Sequence, residues 1–369
     1  MAPVTGDERT VLTLNGGSSS LKFGLYREAG EAIEPLAVGE TGAAAGFDAV
    51  FEQVAAALHG AAPDAIGHRM VHGGPSLFRP VAIDADVITA LQAASAFAPL
   101  HGPASLALVE TARAHYPDRP QIACFDTGFH ADLPEIAAVL PVPRVLRARG
   151  VRRYGFHGLS CQSILHQLGD GVPERLIIAH LGSGASVTAV RGGRSVDTSM
   201  GLTPSGGVVM ATRSGDIDPG LLLFLLRDGG LDGAGLEELI DRQSGLLGIS
   251  GLSPDMRRLH AAAETDRDAA LAVAIFCRSV ARQIAGMMTA LGGADLIVFT
   301  GGIGENDAVA RAAICRDLSW AGVAQGEGAA GTVAVRSLPS DEGGQIAREV
   351  FAVLGPPQGL RQGLFPAHS

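Results

Sequence analysis

The sequence predicts an α/β fold in two domains, and three observations support this prediction. Apolar strand-like runs alternate along the chain with segments of helical periodicity, as in α/β proteins. The length of 369 residues exceeds the size at which a single core usually stops growing. Two hairpins of similar design, at 11–26 and 176–190, each place a Gly/Ser turn between two apolar strands.

The repeated hairpin suggests that one β-rich unit was duplicated. We therefore expect an N-terminal domain over residues 1–150, completed by a C-terminal helix at about 343–369, and a second domain over 151–342. The Pro- and Arg-rich segment LPVPRVLRARGV marks the expected boundary.

Each element follows from its local pattern. Short apolar runs rich in β-branched residues predict strands at 11–15, 20–26, 65–71, 121–125, 175–180, 185–190 and 295–300. Apolar residues spaced three and four apart predict helices at 47–58, 85–97, 103–115, 219–227, 233–242 and 266–291.

Composition and charge exclude several classes of function. The net charge of −10, without a long basic run, argues against nucleic acid or an anionic membrane as a partner. No window is apolar enough to predict a membrane helix, and the N-terminus lacks a signal sequence. The four scattered cysteines are typical of buried residues in a reducing compartment, so we expect a cytoplasmic protein.

Three Gly/Ser turns could face phosphate groups. The first, LNGGSSSLK at 14–22, fails the two common phosphate-loop patterns but could form a nest of backbone N–H groups, and it contains the only lysine, Lys22. The second is HLGSGAS at 180–186. The third is FTGGIGEND at 299–307, with a helix expected to begin near Glu305. A plain β-turn is the alternative for each, but three such turns together favour a nucleotide cleft.

Arginines and acids follow two predicted strands. Arg69 and Asp126 would both lie at carboxyl ends of strands, where α/β sheets bind ligands. A structural ion pair is the alternative for these two residues. His157, between Phe156 and Gly158, could equally be a half-buried structural histidine.

The ordered set of motifs resembles the acetate kinase family, which includes the propionate kinases. The motifs, in order from residue 11 to about 349, are VLTLNGGSSSLKF, GHRMVHGG, APLHGP, FDTGFH, RRYGFHG, HLGSGAS, DTSMGLTP, TRSGDIDP, SGLLGISGLSPDMR and FTGGIGEN.

This resemblance implies a fold, a reaction and partners. The fold is that of actin, Hsp70 and sugar kinases: two duplicated ribonuclease H-like domains with nucleotide in the cleft between them. The reaction is reversible transfer of the γ-phosphoryl group of ATP to acetate or a similar short carboxylate, giving acyl phosphate and ADP. Mg²⁺, or Mn²⁺ in its place, is the implied cofactor, and a homodimer is the implied assembly.

The resemblance also implies roles for matching positions. The catalytic set comprises Arg69, His101, Asp126, His157 and Arg213. Asn15 and Glu342 match metal-linked positions. Arg69 also matches a substrate contact, and the apolar acyl pocket comprises Val71, Leu100, Phe156 and Pro204. The nucleotide-contacting positions are Ser18, Lys22, His180, Gly182, Ser183, Gly184, Asp255, Met256, Arg257, Gly302, Ile303, Gly304, Glu305 and Asn306.

The chain departs from the family pattern at Ser183, Gly102 and Ser105, where asparagines are usual, and in SGGVVMA at 205–211. These departures put the preferred carboxylate and phosphoryl donor in question. Two other classes of function remain: an actin-like ATPase or sensor, and a phosphoanhydride hydrolase. Paired arginines argue against the sensor, and an apolar acceptor pocket argues against water as the acceptor.

Overall fold

The computed structural model describes residues 8–16, 20–30, 32–42, 48–59, 61–98, 102–324 and 332–355. The chain packs as two units: unit 1 comprises 1–128 and 341–369, and unit 2 comprises 129–340. The packing boundary therefore lies at Gly128/Phe129, within the predicted N-terminal domain. The expected boundary between the two domains, at residue 150, stays a prediction.

Unit 1 is built on a six-stranded sheet with the order β3-β2-β1-β4-β6-β5. Its strands are β1 (Thr10–Gly16), β2 (Ser20–Ala29), β3 (Ala32–Gly42), β4 (Ala65–Met70), β5 (Val81–Ala82) and β6 (Gln121–Phe125). Its helices are α1 (Asp48–Ala57), α2 (Ala85–Ala94), α3 (Gly102–His115) and the C-terminal α13 (Glu342–Leu354).

Unit 2 is built on a five-stranded sheet with the order β11-β10-β7-β8-β9. Its strands are β7 (Arg175–Leu181), β8 (Ala185–Arg191), β9 (Arg194–Thr198), β10 (Leu296–Thr300) and β11 (Ala334–Ser337). Its helices are α4 (Glu135–Ala138), α5 (Gly158–Leu168), α6 (Pro219–Arg227), α7 (Gly233–Arg242), α8 (Gly245–Ser250), α9 (Met256–Ala262), α10 (Arg267–Leu291), α11 (Gly301–Asn306) and α12 (Ala308–Asp317).

The two sheets share one topology, apart from the short antiparallel edge strand β5 of unit 1. In each, three antiparallel strands form a meander, and the first strand of that meander pairs in parallel with the next strand of the unit. A further parallel strand follows, β6 beside β4 and β11 beside β10. Both predicted hairpins are confirmed, as β1–β2 and β7–β8.

Helix α13 carries the end of the chain back onto the sheet of unit 1. It packs on β1, β2 and β4. A Cβ atom at Gly67 would lie 2.6 Å from Ile346 Cγ2 and 2.7 Å from Val350 Cγ2, so the helix sits directly on the strand only because residue 67 is glycine. This contact places the N-terminal end of α13, and with it Glu342, in unit 1.

Two sequence-based expectations are wrong. Helix α11 begins at Gly301, not near Glu305, because a glycine at φ +77° lets it start against the backbone of Leu181, where a Cβ would lie 2.8 Å from the carbonyl oxygen. The second expectation was that no window is apolar enough to predict a membrane helix. Helix α10 is long and apolar enough to cross a membrane, by length and composition alone. Its buried face packs on β7, β8 and β9, as expected of a core helix.

All four cysteines are free and buried, as predicted. Cys124, Cys161, Cys277 and Cys315 fill space as small apolar side chains. Burial raises the pKa of the Cys277 thiol to about 12 and that of Cys315 to about 11, so both stay protonated at neutral pH.

Candidate active site

Unit 1 brings Asn15, Arg69 and Asp126 together where three neighbouring strands end. Asn15 is next to last in β1, Arg69 is next to last in β4, and Asp126 follows β6. One Nη of Arg69 donates to Asp126 Oδ2 at 2.5 Å, and the other donates to Asn15 Oδ1 at 3.1 Å. The predicted position of Arg69 and Asp126 at strand ends is confirmed, and Arg69 forms the centre of the cluster.

Glu342 closes this cluster from the N-terminal end of α13. Its Oε2 accepts a hydrogen bond from Asn15 Nδ2 at 2.7 Å and lies 3.9 Å from Arg69 Nε. Asp341 caps the helix by accepting from Gly344 N at 2.8 Å, which fixes where the helix begins. The "Arg69 cluster", Asn15, Arg69, Asp126 and Glu342, therefore contains one guanidinium and two carboxylates.

The excess of negative charge and the burial explain the titration of this cluster. Burial raises the pKa of Asp126 to about 6, Arg69 opposes that rise and the nearby Glu342 carboxylate adds to it. Burial lowers the pKa of Arg69, but the two carboxylates outweigh it, and the pKa ends above its ordinary value. Arg69 is therefore always charged, whereas Asp126 can change protonation state just below neutral pH.

Two polar atoms of this cluster lack a hydrogen-bond partner within the described part of the chain. Asp126 Oδ1 and Arg69 Nε are buried and make no hydrogen bond there. An unmade buried hydrogen bond costs about 1–3 kcal/mol, so a further hydrogen-bonding group at either atom would be stabilising.

The donor set of the Arg69 cluster fits a magnesium ion. Asp126 and Glu342 supply carboxylate oxygens, and Asp126 Oδ1 is the unpartnered one. No group of three or more His, Cys, Asp or Glu side chains that could hold a metal occurs among the described residues. The two carboxylates of the Arg69 cluster suit Mg²⁺, which is usually held by one or two carboxylates together with water and substrate phosphates. Asn15 uses its amide to bridge Arg69 and Glu342.

Lys22 differs from expectation. We expected this lysine to lie near phosphates or an acid and not on the solvent face, but it is exposed. In the β1–β2 hairpin it is directly opposite Asn15, and in the β2–β3 pair it is opposite Glu40. Its strand pairing with Asn15 thus places Lys22 next to the Arg69 cluster. Ser18 lies outside the described residues.

Unit 2 holds two of the predicted histidines, His157 and His180, in one stack. His157 precedes α5 in a left-handed conformation with φ +57°, which is uncommon for a non-glycine residue. Its Nδ1 lies 2.9 Å from Ser186 Oγ, and its ring stacks on His180 with centroids 4.1 Å apart. His180 Nδ1 in turn lies 2.8 Å from Ser160 Oγ. The two serine hydroxyls thus contact Nδ1 of each imidazole and orient the rings.

The turn between β7 and β8 lies against this stack. A Cβ atom at Gly184 would be 3.3 Å from His157 Nε2 and 3.3 Å from Arg213 Nη1. The absent side chain therefore lets the histidine and the arginine approach the same backbone position. Ser183 contributes its carbonyl oxygen, which accepts from Ala211 N at 3.2 Å. The turn thus ties β7 to the segment that carries Arg213.

Arg213 lies on a loop, 204–216, that we call the Arg213 loop. Its backbone is fixed by a hydrogen bond from Met210 N to Arg213 O at 3.1 Å. Its Nη1 donates to Pro204 O at 3.3 Å. Gly245, at φ +61°, packs on this backbone so closely that a Cβ would lie 2.2 Å from Met210 O. The loop is therefore held rigidly against the start of α8.

Helix α11 carries the GGIGEN motif. Glu305 Oε1 accepts from Gly301 N and from Ser340 N, both at 2.9 Å, and so ties the start of the helix to the segment after β11. Asn306 Nδ2 donates to Gly302 O at 2.9 Å. A Cβ at Gly302 would meet nothing within 4 Å, whereas Gly304 packs on Phe299. Ile303 is half-buried. The exposed side of this helix start is open for a ligand.

The predicted residues before α9 have different environments. Asp255 caps the helix by accepting from Arg257 N at 2.9 Å, and its hydrogen bonds to Arg257 hold its pKa below the ordinary value. The Arg257 side chain is 91% exposed, whereas Met256 is buried. Asp255 therefore acts first as a helix cap, and a nucleotide contact at these residues stays a prediction.

The predicted acyl pocket is divided between the units. Val71 lies in unit 1, and Phe156 and Pro204 lie in unit 2; all three are buried. Leu100 and His101 lie outside the described residues. The pocket as a set therefore stays a prediction.

Several supporting residues escaped the sequence analysis. Ser186 and Ser160 orient the two stacked histidines, and Ser340 Oγ donates to Ser160 Oγ at 2.9 Å. His130 bonds to Phe156 O at 3.0 Å and to Ser195 Oγ at 2.8 Å. Burial lowers the pKa of His130 to about 4, so it is neutral at neutral pH. Ser186 could have been found from register, because it pairs with His180 across β7 and β8.

The Ser186→Ala variant tests how His157 is positioned. Without the hydroxyl that contacts Nδ1, the ring loses its fixed orientation, and we expect kcat to fall about tenfold with little change in KM. Steady-state kinetics with acetate and ATP would measure this. Ser195→Ala, which removes a hydroxyl contact from His130 instead, is the matched control. Equal effects of the two variants would contradict a special role for Ser186.

Comparisons with known proteins agree on one family. The model of the acetokinase family matches residues 42–337. An acetate kinase of Deinococcus radiodurans is 41% identical, over 93% of this chain and 98% of its own length. The crystal structure of Porphyromonas gingivalis acetate kinase, 33% identical, superposes with a TM-score of 0.79 over 94% of this chain and all of the other.

A second solved structure extends the comparison to another acid. The propionate kinase of Francisella tularensis is 34% identical and superposes with a TM-score of 0.81, over 92% of this chain and 98% of its own. These superpositions confirm the predicted fold class. With a family model that matches most of its length, the chain belongs to the acetokinase family.

Proposed function

We propose that this chain transfers the γ-phosphoryl group of ATP to acetate or a similarly short carboxylate, giving acyl phosphate and ADP. As a member of its family it is a phosphotransferase with a carboxyl group as acceptor. The observation that carries the proposal is the Arg69 cluster, with its buried and unpartnered Asp126 Oδ1 and Arg69 Nε.

The reaction joins two anions, so cationic donors must offset their repulsion. In phosphoryl transfer the charge of the transition state spreads over the equatorial oxygens of the moving group. Arg69 presents a guanidinium fixed by Asn15 and Asp126, with Nε still available. We assign Arg69 to the carboxylate and phosphoryl oxygens, which a planar fork of donors can bind through two hydrogen bonds at once.

Asp126 and Glu342 are assigned to orientation and to the metal. The acceptor carboxylate is already ionised at neutral pH, so the enzyme needs no strong base to activate it. Asp126 fixes Arg69 and presents Oδ1, and Glu342 fixes Asn15. When bound by these carboxylates, Mg²⁺ would neutralise phosphate charge. Mn²⁺ is the alternative ion, and ATP and ADP are substrates.

His157 and Arg213 are assigned to the transferring group. Both approach Gly184, and the backbone around each is fixed by neighbouring turns. A donor pair held in advance stabilises developing charge without reorganisation during the reaction. We assign the nucleotide phosphates and ribose to His180, Gly182 and the open side of Gly302. We assign Lys22 to the phosphates because it lies opposite Asn15 in the β1–β2 hairpin.

The acceptor is assigned as a short acid. The relatives that match this chain are named acetate kinase and propionate kinase. Val71, Phe156 and Pro204 are apolar and suit a methyl or ethyl group, with Leu100 as the fourth member. One methylene changes discrimination by only about 1–3 kcal/mol, so both acids are expected to react. We also propose a cytoplasmic homodimer, with neither nucleic acid nor membrane as a partner.

Trapping the product as acyl hydroxamate tests this function. The protein is incubated with ATP, Mg²⁺, hydroxylamine and, in turn, formate, acetate, propionate and butyrate. We expect product to peak at acetate or propionate and to be lost in Arg213→Ala. Arg147→Ala, at an exposed residue of unit 2, is the matched control and should keep full activity. Hydroxamate from no acid, with ATP bound, would contradict the proposal.

The pH profile tests the charge state of Asp126. Because its pKa is raised to about 6, the carboxylate fraction falls as the pH drops below that value. We expect kcat/KM to decline about tenfold per pH unit below pH 6 in the wild type. Asp126→Asn should be less active and should lack this acid limb. An unchanged acid limb in the variant, or near-normal turnover, would contradict the assigned role.

A further inference from the structure

Two segments of unit 2 that are predicted to contact the nucleotide rest on different parts of the fold. The segment Asp255–Arg257 leads into helix α9, which packs on α10. The motif GGIGEN forms α11, which packs on the strands β7 and β10. A nucleotide that contacts both segments binds more tightly if they are already held at the right separation, because ordering them on binding costs affinity.

A side-chain pair outside both motifs joins α9 to the end of α11. His260 Nε2 lies 2.8 Å from Asp307 Oδ2, and because a carboxylate accepts hydrogen bonds, the imidazole donates. The His260 side chain is 27% exposed and that of Asp307 is 14% exposed. The contact is therefore largely shielded from water, which strengthens a hydrogen bond.

Each partner of this pair is close in the chain to a predicted nucleotide contact. His260 follows Met256 by one helical turn, so the two side chains share a face of α9. Met256 is buried whereas the Arg257 side chain is exposed, so this shared face packs inward. Asp307 directly follows Asn306, the last residue of α11. One hydrogen bond thus connects the inward face of α9 to the end of the GGIGEN helix.

Asp307 also fixes the junction between α11 and α12. Its backbone N–H donates to Ile303 O at 2.9 Å at the end of α11, and its Oδ1 accepts from Ala310 N at 2.9 Å and caps α12. The cap uses Oδ1, whereas the contact with His260 uses Oδ2. The link to α9 can therefore be removed by substitution while the cap of α12 is kept.

We propose that His260 is a positioning residue for the nucleotide: its hydrogen bond to Asp307 holds the start of α9 at a fixed separation from α11, so that a nucleoside di- or triphosphate meets both segments already in place. This inference rests on the proposed function, which supplies the nucleotide as phosphoryl donor. His260 acts through Asp307 and not on the acceptor. Loss of the bond should therefore weaken nucleotide binding and leave acetate binding unchanged.

Calorimetric titration of the full-length protein with ADP and Mg²⁺ tests this role. His260→Leu removes the donor, and Asp307→Ser keeps an oxygen that can cap α12 but is too short to reach the imidazole. We expect each variant to raise the Kd for ADP about tenfold. His260→Gln, whose amide N–H can replace the ring N–H, should stay within about threefold of the wild type. Asp317→Ser is the matched control and should leave the Kd unchanged, because Asp317 pairs with Arg278 of α10 at the other end of α12.

A double variant and steady-state kinetics separate positioning from general destabilisation. If the two side chains act through each other, the double variant His260→Leu/Asp307→Ser should bind ADP no more weakly than either single variant. The KM for ATP should rise as the Kd for ADP does, whereas kcat and the KM for acetate should stay near the wild-type values. Unchanged ADP affinity in both single variants, an equal loss in Asp317→Ser, or a parallel rise in the KM for acetate would overturn the inference.

The inference and the proposed function fail separately. ADP binding that weakens as expected in the variants, without acyl phosphate from any acid, would refute the proposed function and leave the role of His260 standing. Acyl phosphate formation with an ADP affinity that does not depend on His260 would refute the role of His260 alone. A wild-type protein that binds no ADP would overturn both.

Discussion

Arg69→Lys is expected to lower kcat/KM for acetate phosphorylation by about 10³-fold. The lysine keeps the positive charge, but one ammonium cannot replace a guanidinium that contacts Asn15 and Asp126 and still presents Nε. The buried carboxylate of Asp126 would lose its fixed partner, so a small loss of thermal stability should accompany the kinetic defect. Steady-state kinetics and a thermal melt would measure the two effects.

Arg175→Lys is the matched control for this prediction. Arg175 also pairs with an aspartate, Asp295, through more than one hydrogen bond, but that pair lies at the N-terminal starts of β7 and β10, whereas the predicted His180 and Gly302 lie at or beyond their C-terminal ends. Its partly exposed pair should contribute little to stability and nothing to turnover. Activity of Arg69→Lys within tenfold of the wild type would refute the assignment of Arg69 to the reacting oxygens.

Gly184→Ala is expected to lower kcat about 10²-fold without unfolding the protein. The new methyl group would lie 3.3 Å from both Arg213 Nη1 and His157 Nε2, which is closer than ordinary contact, so these side chains must move by a few tenths of an ångström. The three atoms that the methyl group would meet first all belong to these two side chains and not to the backbone. The defect should therefore appear in catalysis and not in the melting temperature.

Gly182→Ala, two residues away in the same turn, is the control. Its new Cβ would meet Gly184 O at 3.4 Å and His180 Nε2 at 3.8 Å, which are ordinary contacts. We expect kcat to change by less than about threefold, and any effect on the assigned nucleotide contact to appear in the KM for ATP. Equal effects of the two substitutions would mean that the close approach of Arg213 and His157 to residue 184 has no catalytic importance.

Sequence patterns predicted the elements that carry strong local signals. Helices α6 and α7 lie where expected, at 219–227 and 233–242, because Asp218 and Asp232 cap them. Strand β3 was missed because Pro35 and Gly39 interrupt it and most of its residues are exposed, so it shows little hydrophobic alternation. Helix α5 was missed because its start depends on the unusual backbone of His157.

The site was predicted in its charged residues but not in their supports. Arg69 and Asp126 could be placed because parallel strands end at one edge of a sheet. Their link to Asn15 and Glu342 depends on α13 returning to unit 1 from the end of the chain, which no local pattern shows. The orientation of His157 by Ser186 likewise depends on the register of β7 and β8. Lys22 is exposed because its position on the pleat of β2 points its side chain away from the buried face.

Oxygen-isotope transfer tests the central claim, that a carboxylate oxygen attacks the γ-phosphorus, most directly. The protein would be supplied with ATP, Mg²⁺ and acetate carrying ¹⁸O at both carboxyl positions, and the product examined by ³¹P nuclear magnetic resonance. We predict acetyl phosphate whose ³¹P signal shows the isotope shift of one ¹⁸O bonded to phosphorus. Unlabelled phosphate with ADP would mean that water attacks instead, and would contradict the account.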